Sequence, residues 1–160
     1  MMMRRIYIET SIVSYLTSRP SNDLIKSACQ QLTKLWWEHG RASTVPYISP
    51  YVIEEASLGD PQAASDRLNA LREISVLPIA PEIPDLAEFL VLGGGLPVKA
   101  RIDALHIACA AYHEIDILLT WNCTHIANPT QLTVMRGLCA AKGYKLPELI
   151  TPFELMESSQ

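Results

Sequence analysis

The sequence of 160 residues lacks the features that mark several large classes of protein. Its four cysteines form no CxxC pair, and no cysteine–histidine spacing matches a zinc site. No apolar run approaches the ~20 residues of a membrane span. Glu9 interrupts the apolar N-terminal stretch where a signal peptide would continue. We therefore expect reduced thiols, no membrane partner and a cytoplasmic location.

Charged residues are also scarce, at 19%, whereas apolar residues reach 49% and the mean hydropathy is +0.13. This composition supplies a full hydrophobic core and excludes a disordered chain. Thirteen basic and seventeen acidic residues give a net charge of −4. Proteins that neutralise a long stretch of phosphates are usually basic, so extended nucleic-acid tracking is not expected. A small site that holds phosphate through a metal ion is still compatible with this charge.

Two common catalytic signatures are missing. The chain contains no G-x-S-x-G motif, and Ser11 has no identifiable base partner. The run Gly93-Gly94-Gly95 is not followed by GK[ST] and comes after a helical pattern. These absences exclude a serine hydrolase and a P-loop nucleotide site, and they predict that the glycine run ends a helix.

Short β-branched runs alternate with helical periodicity along the whole chain. Strands are predicted at 6–8, 43–48, 74–79, 115–120 and 149–150. Helices are predicted from about residue 12, between Asp23 and Gly40, and at 50–58, 62–73, 83–92, 99–113 and 129–142. Strands that alternate with helices form crossovers in a parallel sheet. The predicted fold is a single three-layer α/β/α sandwich with a central parallel sheet, formed by one domain over residues 1–160.

Two of the predicted helices carry apolar residues at three- and four-residue spacing, which predicts the face that each buries. The first stripe consists of Leu24, Ile25, Ala28, Leu32, Leu35 and Trp36. The second consists of Leu105, Ala108, Cys109 and Tyr112. Trp36 is expected in the core, whereas Trp37 is expected to be partly exposed.

Polar side chains follow the predicted strands at the edge where ligands bind in parallel sheets. Glu9 comes directly after the first strand, and Asn122 lies two residues after the fourth. Glu54 and Glu55 lie in the helix after the second strand, and Asp103 lies near the start of the sixth helix. Clustered carboxylates repel one another, and a divalent cation usually offsets that repulsion. Hard oxygen ligands favour Mg²⁺ or Mn²⁺.

Each of these residues also has a plainer interpretation. A glutamate after a strand is often a solvated loop residue or a helix cap. Asp103 in a first helical turn could simply complement the helix dipole, and one of Glu54 and Glu55 is expected to be only a surface residue. The three carboxylates together interrupt apolar segments at the expected edge, which favours a site.

Four further residues are secondary candidates. Thr10 and Ser11 follow Glu9 and are natural N-caps for the first helix. His106, one turn after Asp103, could contact a ligand or be a hydrogen-bonded core histidine. His125, in the loop after the fourth strand, could lie beside the site or be an ordinary loop residue.

Four segments, in their order and spacing, resemble the PIN-domain family, and more closely its bacterial branch of VapC-like toxins. They are IYIETSIVSYL, ISPYVIEEASLGDP, RIDALHIACAA and DILLTWNCTHIANP. The last two are the most specific, and the resemblance covers nearly the whole chain. It implies the same α/β/α sandwich and Mg²⁺- or Mn²⁺-dependent cleavage of single-stranded RNA. It also implies a cognate antitoxin protein, often inserted into the site, and a homodimer.

By motif, the first family acid falls on Glu9, where aspartate is usual, and the third falls on Asp103. The second falls on Glu55, with Glu54 as the close alternative. The fourth position, usually aspartate, is Asn122 in this chain. The resemblance implies that Glu9, Asp103 and Glu55 hold the metal.

Asn122, together with His125, would then position water or phosphate. Two departures concern the site: Glu9 adds a methylene to the usual aspartate, and Asn122 loses a charge. They favour the alternative of a PIN-fold module that binds RNA, metal or a protein partner without turnover. The sequence thus predicts a type II toxin ribonuclease and leaves that second interpretation open.

Overall fold

The strands of the computed structural model, which describes residues 2–157, lie parallel in one sheet. They are β1 (Arg4–Ile8), β2 (Thr44–Ile48), β3 (Ser75–Val76), β4 (Ile117–Leu119) and β5 (Glu148–Ile150). Their order across the sheet is β3-β2-β1-β4-β5. Tyr7 in β1 pairs with Tyr47 of β2 on one side and with Leu118 of β4 on the other. The central strand β1 is therefore enclosed by neighbours that come much later in the chain.

The helices follow the predicted alternation with the strands. They are α1 (Thr10–Thr17), α2 (Leu24–Leu35), α3 (Pro50–Ala56), α4 (Pro61–Leu71), α5 (Glu82–Leu92), α6 (Arg101–Tyr112), α7 (Pro129–Ala141) and α8 (Pro152–Glu157). A π-helical turn at Trp36–Gly40 and 3₁₀ turns at Arg41–Ser43 and Val98–Ala100 complete the helical segments. Asp23, Ser49 and Asn128 cap α2, α3 and α7 through side-chain oxygens, which is the role that aspartate, serine and asparagine commonly take just before a helix.

The strand order reverses at β1. From β1 the chain moves outward through β2 to β3, and it later returns to the other side of β1 to add β4 and β5. Right-handed crossovers in opposite directions place their helices on opposite faces of the sheet. The predicted α/β fold with a central parallel sheet is confirmed. The predicted domain of residues 1–160 extends beyond the described part at residue 1 and residues 158–160.

The predicted buried stripe of α2 is wrong. Leu24 and Ile25 are 85% and 75% exposed, and the helix instead turns Gln30 and Thr33 inward. The Gln30 amide donates to the loop before the helix, and the Thr33 hydroxyl accepts a hydrogen bond from the indole N–H of Trp121 at 2.7 Å. Hydrogen-bonded polar groups therefore decide the inward face, because they fix the helix against specific partners. Beyond the helix, Trp36 is buried as predicted.

The predicted stripe of α6 does face the core, but the helix is also buried on most of its other sides. It packs against α5 and α3. Its buried residues are Ala104, His106, Ile107, Ala108, Cys109, Ala110 and Ala111. Leu105 and Tyr112 from the predicted stripe are only half-buried. The four alanines keep the helix narrow, so neighbouring elements can approach it closely from several directions.

The glycine run ends α5, as its position predicts. Gly94 has φ +83°, a left-handed conformation that suits a residue without a Cβ. A Cβ at Gly93 would come within 2.5 Å of the Leu138 side chain, and one at Gly95 within 3.1 Å. The same run therefore ends α5 and lets α7 pack directly beside it. No helix within residues 2–157 is long and apolar enough to span a membrane.

Candidate metal centre at the carboxyl edge of the sheet

The candidate site lies where the order of the strands reverses. Glu9 follows β1 directly, and its backbone N–H donates to the carbonyl of Leu119, the last residue of β4. Thr120 comes next in the chain and is fully buried. Between β1 and β4 the crossovers diverge to opposite faces, which leaves a crevice outside their carboxyl ends. Both strands deliver polar side chains into this crevice.

Glu9 is a buried carboxylate held by hydroxyl groups. It is 5% exposed, and its Oε1 accepts hydrogen bonds from Ser11 Oγ at 2.5 Å and Thr120 Oγ1 at 2.6 Å. Ser11 Oγ is itself fixed because it accepts the backbone N–H of Trp121 at 2.8 Å. Within residues 2–157, no lysine or arginine pairs with Glu9. The hydroxyls orient the charge without neutralising it.

The predicted capping role of Thr10 and Ser11 is wrong. Helix α1 begins at Thr10, Glu9 occupies the N-cap position, and no side chain caps the helix. The two hydroxyls turn to carboxylates instead: Ser11 donates to Glu9, and Thr10 donates to Glu55. A charged acceptor forms a stronger hydrogen bond than a backbone group does, so the acids prevail over the cap.

Glu55 faces the crevice, whereas Glu54 is exposed. Glu55 Oε1 accepts hydrogen bonds from Thr10 Oγ1 at 2.7 Å and His106 Nε2 at 2.5 Å. Burial alone raises the pKa of Glu55, but the hydrogen bond and charge of His106 and the hydrogen bond from Thr10 outweigh burial and lower it. The carboxyl group is thus held in its charged form.

His106 fits the interpretation as a hydrogen-bonded core histidine, and its contact with a ligand stays a prediction. It is a fully buried core histidine, and its Nε2 contacts Glu55 at the crevice. Its Nδ1 lies 2.6 Å from the hydroxyl of Tyr7, which lies 2.7 Å from Ser49 Oγ. Burial, followed by nearby acidic groups, raises the pKa of Tyr7 well above its ordinary value, so this hydroxyl keeps its proton. A continuous hydrogen-bond chain therefore runs from the core to the carboxylate.

The closest cluster of potential ligand atoms comprises Glu9, Glu55 and His106, whose atoms all lie within 4.8 Å of one another. Asp103 joins no such group of three among the described residues. Its Oδ2 lies 3.0 Å from His125 Nδ1, and both side chains are about four-fifths buried. Asp103 precedes His106 by three residues, so both project from the same side of α6. The metal-ligand roles of Glu9, Glu55 and Asp103 stay predictions.

Asn122 organises the turn after β4. Its side-chain oxygen accepts the backbone N–H of His125 at 3.0 Å, and its own N–H donates to Thr120 Oγ1 at 2.9 Å. Its carbonyl accepts from the N–H groups of Ile126 and Ala127. This turn brings the His125 ring to Asp103, so His125 lies beside the acids rather than in a detached loop.

The sequence interpretation did not place Thr120, Tyr7 or Ser49 at the site. Thr120 could have been found by the rule that identified Asn122, since it stands at the carboxyl end of the fourth strand. Tyr7 carries no such signal. It lies within an apolar strand, and its partner His106 is 99 residues away.

The oxygen inventory fits a hard divalent cation. Glu9, Glu55 and Asp103 each use one carboxylate oxygen in the contacts above. Within residues 2–157, the second oxygen of each accepts no hydrogen bond from the protein. Glu9 and Glu55, which are held close together without lysine or arginine, repel one another, and oxygen-rich groups of this kind suit Mg²⁺ or Mn²⁺.

Comparison with known proteins identifies the fold. No family model and no curated protein matches the chain. The structure of VapC20 from Mycobacterium tuberculosis, described as a Sarcin-Ricin loop cleaving toxin, matches with a TM-score of 0.55 and 20% identity over 75% of this chain and 92% of that one. VapBC2 from Rickettsia felis, bound to a DNA fragment from their promoter, matches with a TM-score of 0.50 and 15% identity over 75% and 89%. The chain has a VapC-like PIN-domain fold, as its motifs predict.

Proposed function

We propose that the protein is a metal-dependent endoribonuclease that cleaves single-stranded RNA, the toxin component of a type II toxin–antitoxin system. The observation that carries the proposal is the set of carboxylates without lysine or arginine partners near the reversal point of the sheet, of which Glu9 is buried and Glu55 and Asp103 are partly exposed. Glu9, Glu55 and Asp103 would hold Mg²⁺ or Mn²⁺. The fold shared with VapC20, a toxin that cleaves the Sarcin-Ricin loop, supports the same activity class.

Residues around the acids would act by holding the carboxylate groups in a fixed orientation. Ser11 and Thr120 hold one oxygen of Glu9, and His125 holds one oxygen of Asp103. The other oxygen of each acid is thereby left without a hydrogen-bond donor within residues 2–157. When bound, a divalent cation polarises a phosphoryl oxygen and lowers the pKa of an attacking water. Asn122 would maintain the turn beside the scissile phosphate.

The protein's acidity is compatible with this substrate. A net charge of −4 opposes broad binding of phosphates, but a cation and a few local basic residues are enough at one phosphodiester. Tyr15 and Trp121 stack beside the crevice with ring centroids 6.1 Å apart. Aromatic rings of this kind can contact an unpaired base, which supports a single-stranded substrate over a duplex.

The partners follow from the same proposal. VapBC2 was crystallised as a VapBC pair on promoter DNA, which supports a cognate antitoxin for this chain. Trp37 is half-buried on the surface of the π-helical turn, which supports a homodimer interface there. Four free thiols support action in the cytoplasm, where thiols stay reduced.

One observation favours the second function, a PIN-fold module that binds without turnover. The Asn122 amide oxygen already accepts the N–H of His125 and carries no charge. The fourth family position therefore supplies a turn residue rather than an anionic ligand. Such a module would bind metal or RNA and release the RNA intact.

A cleavage assay separates the two functions. Single-stranded RNA is incubated with the protein in Mn²⁺, in Mg²⁺ and in EDTA, and the products are sized. We expect cleavage in either metal, none in EDTA and none with Glu55→Gln. Glu54→Gln is the matched control, because it makes the same change on the neighbouring exposed residue and should retain activity. Intact RNA in every wild-type reaction, despite metal binding, would establish the module instead.

A further inference from the structure

We infer that His106 is not a metal ligand but the positioning residue for Glu55, held from behind by Tyr7 and Ser49. This inference rests on the proposed metal site and specifies how that site is built. His106 Nε2 lies among the closest potential ligand atoms, so proximity alone would assign it to the metal. The hydrogen-bond chain leads to the opposite assignment.

The first step concerns the Tyr7 hydroxyl. It lies 2.7 Å from Ser49 Oγ and 2.6 Å from His106 Nδ1. A tyrosine hydroxyl has one proton, so it donates to one of these neighbours and accepts from the other. Ser49 Oγ accepts the backbone N–H of Tyr51 at 3.2 Å and can also donate its own proton to Tyr7. One consistent direction is then Ser49 to Tyr7 to His106, and the other is the reverse.

The second step concerns the proton of His106. A neutral imidazole that accepts at Nδ1 carries its proton on Nε2. In the reverse direction Nδ1 donates its proton to Tyr7, and an unprotonated Nε2 would face Glu55 Oε1 at 2.5 Å. Two acceptors cannot form a hydrogen bond, so Nε2 must also carry a proton and the ring must be doubly protonated. Nε2 therefore carries a proton in either direction of the chain.

A protonated nitrogen has no lone pair left for a metal. His106 thus donates to Glu55, and the candidate ligands reduce to oxygen atoms. This outcome agrees with a hard cation, since imidazole ligands favour zinc and other transition metals over Mg²⁺. It also explains why the free oxygen of Glu55 is left for the site.

The positioning chain is built from three separate elements. Tyr7 lies on β1, Ser49 precedes α3 and His106 lies on α6, and all three side chains are fully buried. Glu55 belongs to α3, so the chain fixes a carboxylate of α3 against α6 and β1. Outer partners of this kind typically change metal affinity about 10- to 100-fold when they are removed.

The direct test is the protonation of the histidine ring nitrogens in the full chain, measured by ¹⁵N NMR. His113 is an internal reference, because its Nε2 lies 2.8 Å from the carbonyl of Pro78 and must donate to it. We expect His106 Nε2 to carry a proton as His113 Nε2 does, and to keep it when Mg²⁺ is added to saturation. An unprotonated Nε2, or loss of its proton on adding Mg²⁺, would overturn the inference.

A second test uses Tyr7→Phe, which removes one hydroxyl and keeps the ring. We expect Mn²⁺ affinity, from thermal melts across a Mn²⁺ titration, to fall about 10- to 100-fold. The kcat for RNA should fall with KM unchanged. The matched control is Tyr112→Phe, the same change on a half-buried residue at the opposite edge, and it should bind Mn²⁺ as the wild type does.

The variants at His106 supply a rescue. His106→Gln keeps an N–H donor near the position of Nε2 and should retain more Mn²⁺ affinity than His106→Leu. If Tyr7→Phe folds and binds Mn²⁺ as tightly as the wild type, the positioning role is wrong even when RNA is cleaved. If the wild type never cleaves RNA but the ring protonation and the Mn²⁺ shifts hold, only the proposed function fails. If Tyr7→Phe does not fold, the NMR result on the wild type decides.

Discussion

The amino and carboxyl edges of the sheet both carry charged residues, but the contacts of those residues differ. At the amino edge, the Arg5 guanidinium donates to the carbonyl of His113 at 2.6 Å and lies 5.1 Å from the ring centre of Tyr47. The Asp116 carboxylate beside it accepts the Arg5 backbone N–H at 2.7 Å. At the carboxyl edge, Glu9 and Glu55 meet only hydroxyls and a histidine. A basic and an acidic residue therefore lie side by side at the first edge, whereas the second edge holds carboxylates that no lysine or arginine within residues 2–157 pairs with.

A groove of about 930 Å³ opens at the amino edge between Arg5, Tyr112, Asp116, Tyr144 and Lys145. Arg5 and Asp116 in this groove already have hydrogen-bond partners. Our proposal of a metal site at the carboxyl edge therefore rests on the close carboxylates of Glu9 and Glu55 and not on cavity volume.

Removing the Glu9 charge at the carboxyl edge should have the largest effect, which is on the stabilisation of the protein by Mn²⁺. With Mn²⁺ at 100 times its Kd, metal binding should add about 2.7 kcal/mol to the free energy of unfolding of the wild type. Glu9→Gln should lose most of this increment, while its metal-free stability stays equal or rises because repulsion is relieved. Urea unfolding with and without Mn²⁺ measures both quantities.

Asp116→Asn is the control for that comparison, because it neutralises a carboxylate at the amino edge and can still accept the Arg5 N–H. It should keep the full Mn²⁺ increment. An unchanged increment in Glu9→Gln would show that the carboxyl edge holds no metal.

Removing one hydroxyl at each edge should lower the free energy of unfolding by different but smaller amounts. Thr120→Val removes a donor to a carboxylate, a type of hydrogen bond worth about 1.5–3 kcal/mol. Thr44→Val removes a donor to the carbonyl of Arg41, a neutral bond worth about 0.5–1.5 kcal/mol. Chemical denaturation at neutral pH should rank the two variants in that order. Equal losses would mean that Glu9 is not a charged acceptor in the folded protein.

Adding a negative charge at the turn after β4 should strengthen metal binding at the carboxyl edge. Asn122→Asp keeps an oxygen that can accept the His125 N–H and adds a carboxylate near the acids. Mn²⁺ affinity should rise roughly tenfold, about 1.4 kcal/mol, and the metal-free protein should lose stability. Melting curves across a Mn²⁺ titration report both effects. If neither changes, position 122 serves only the turn.

The smallest effect concerns a thiol beneath the carboxyl edge. Burial raises the pKa of Cys109 from 9.0 to about 12, so the folded thiol stays neutral and supplies no anionic ligand. The unfolded thiol ionises near its ordinary value. The stabilisation that the buried, neutral Cys109 thiol adds to the free energy of unfolding is therefore complete below pH 9 and is lost as the pH rises toward 12. Cys109→Ala should be less stable at pH 7 but should lose less stability between pH 9 and 11.

Local signals in the sequence predicted much of the fold. The caps at Asp23, Ser49 and Asn128 act within their own helices, so residue type and spacing suffice to identify them. The rule for parallel sheets pointed to Glu9 and Glu55, because it needs only the ends of strands. The caps are confirmed because they depend on near neighbours, whereas the site roles of Glu9 and Glu55 stay predictions.

The remaining features depend on contacts between distant residues. The inward turn of Gln30 and Thr33 on α2 rests on polar partners that no apolar periodicity reveals. The pairing of Asp103 with His125 depends on a turn 22 residues further along the chain. In the sequence Tyr7 looks like an ordinary strand residue, because its contact with His106 exists only in the folded protein. Such features follow from the tertiary structure, and one-dimensional patterns do not contain them.

The hydroxyl of Thr120 reaches Glu9 across 111 positions of sequence, and this separation sets the order in which the crevice can form. During synthesis at about 5–20 residues per second, Thr120 follows Glu9 by roughly 5 to 20 s. Contacts of this range also slow the search for the native state. A nascent chain, or a fragment that stops before β4, holds Glu9 without the strand that completes its surroundings. A site built this way would stay incomplete on the ribosome until β4 and Thr120 had been translated.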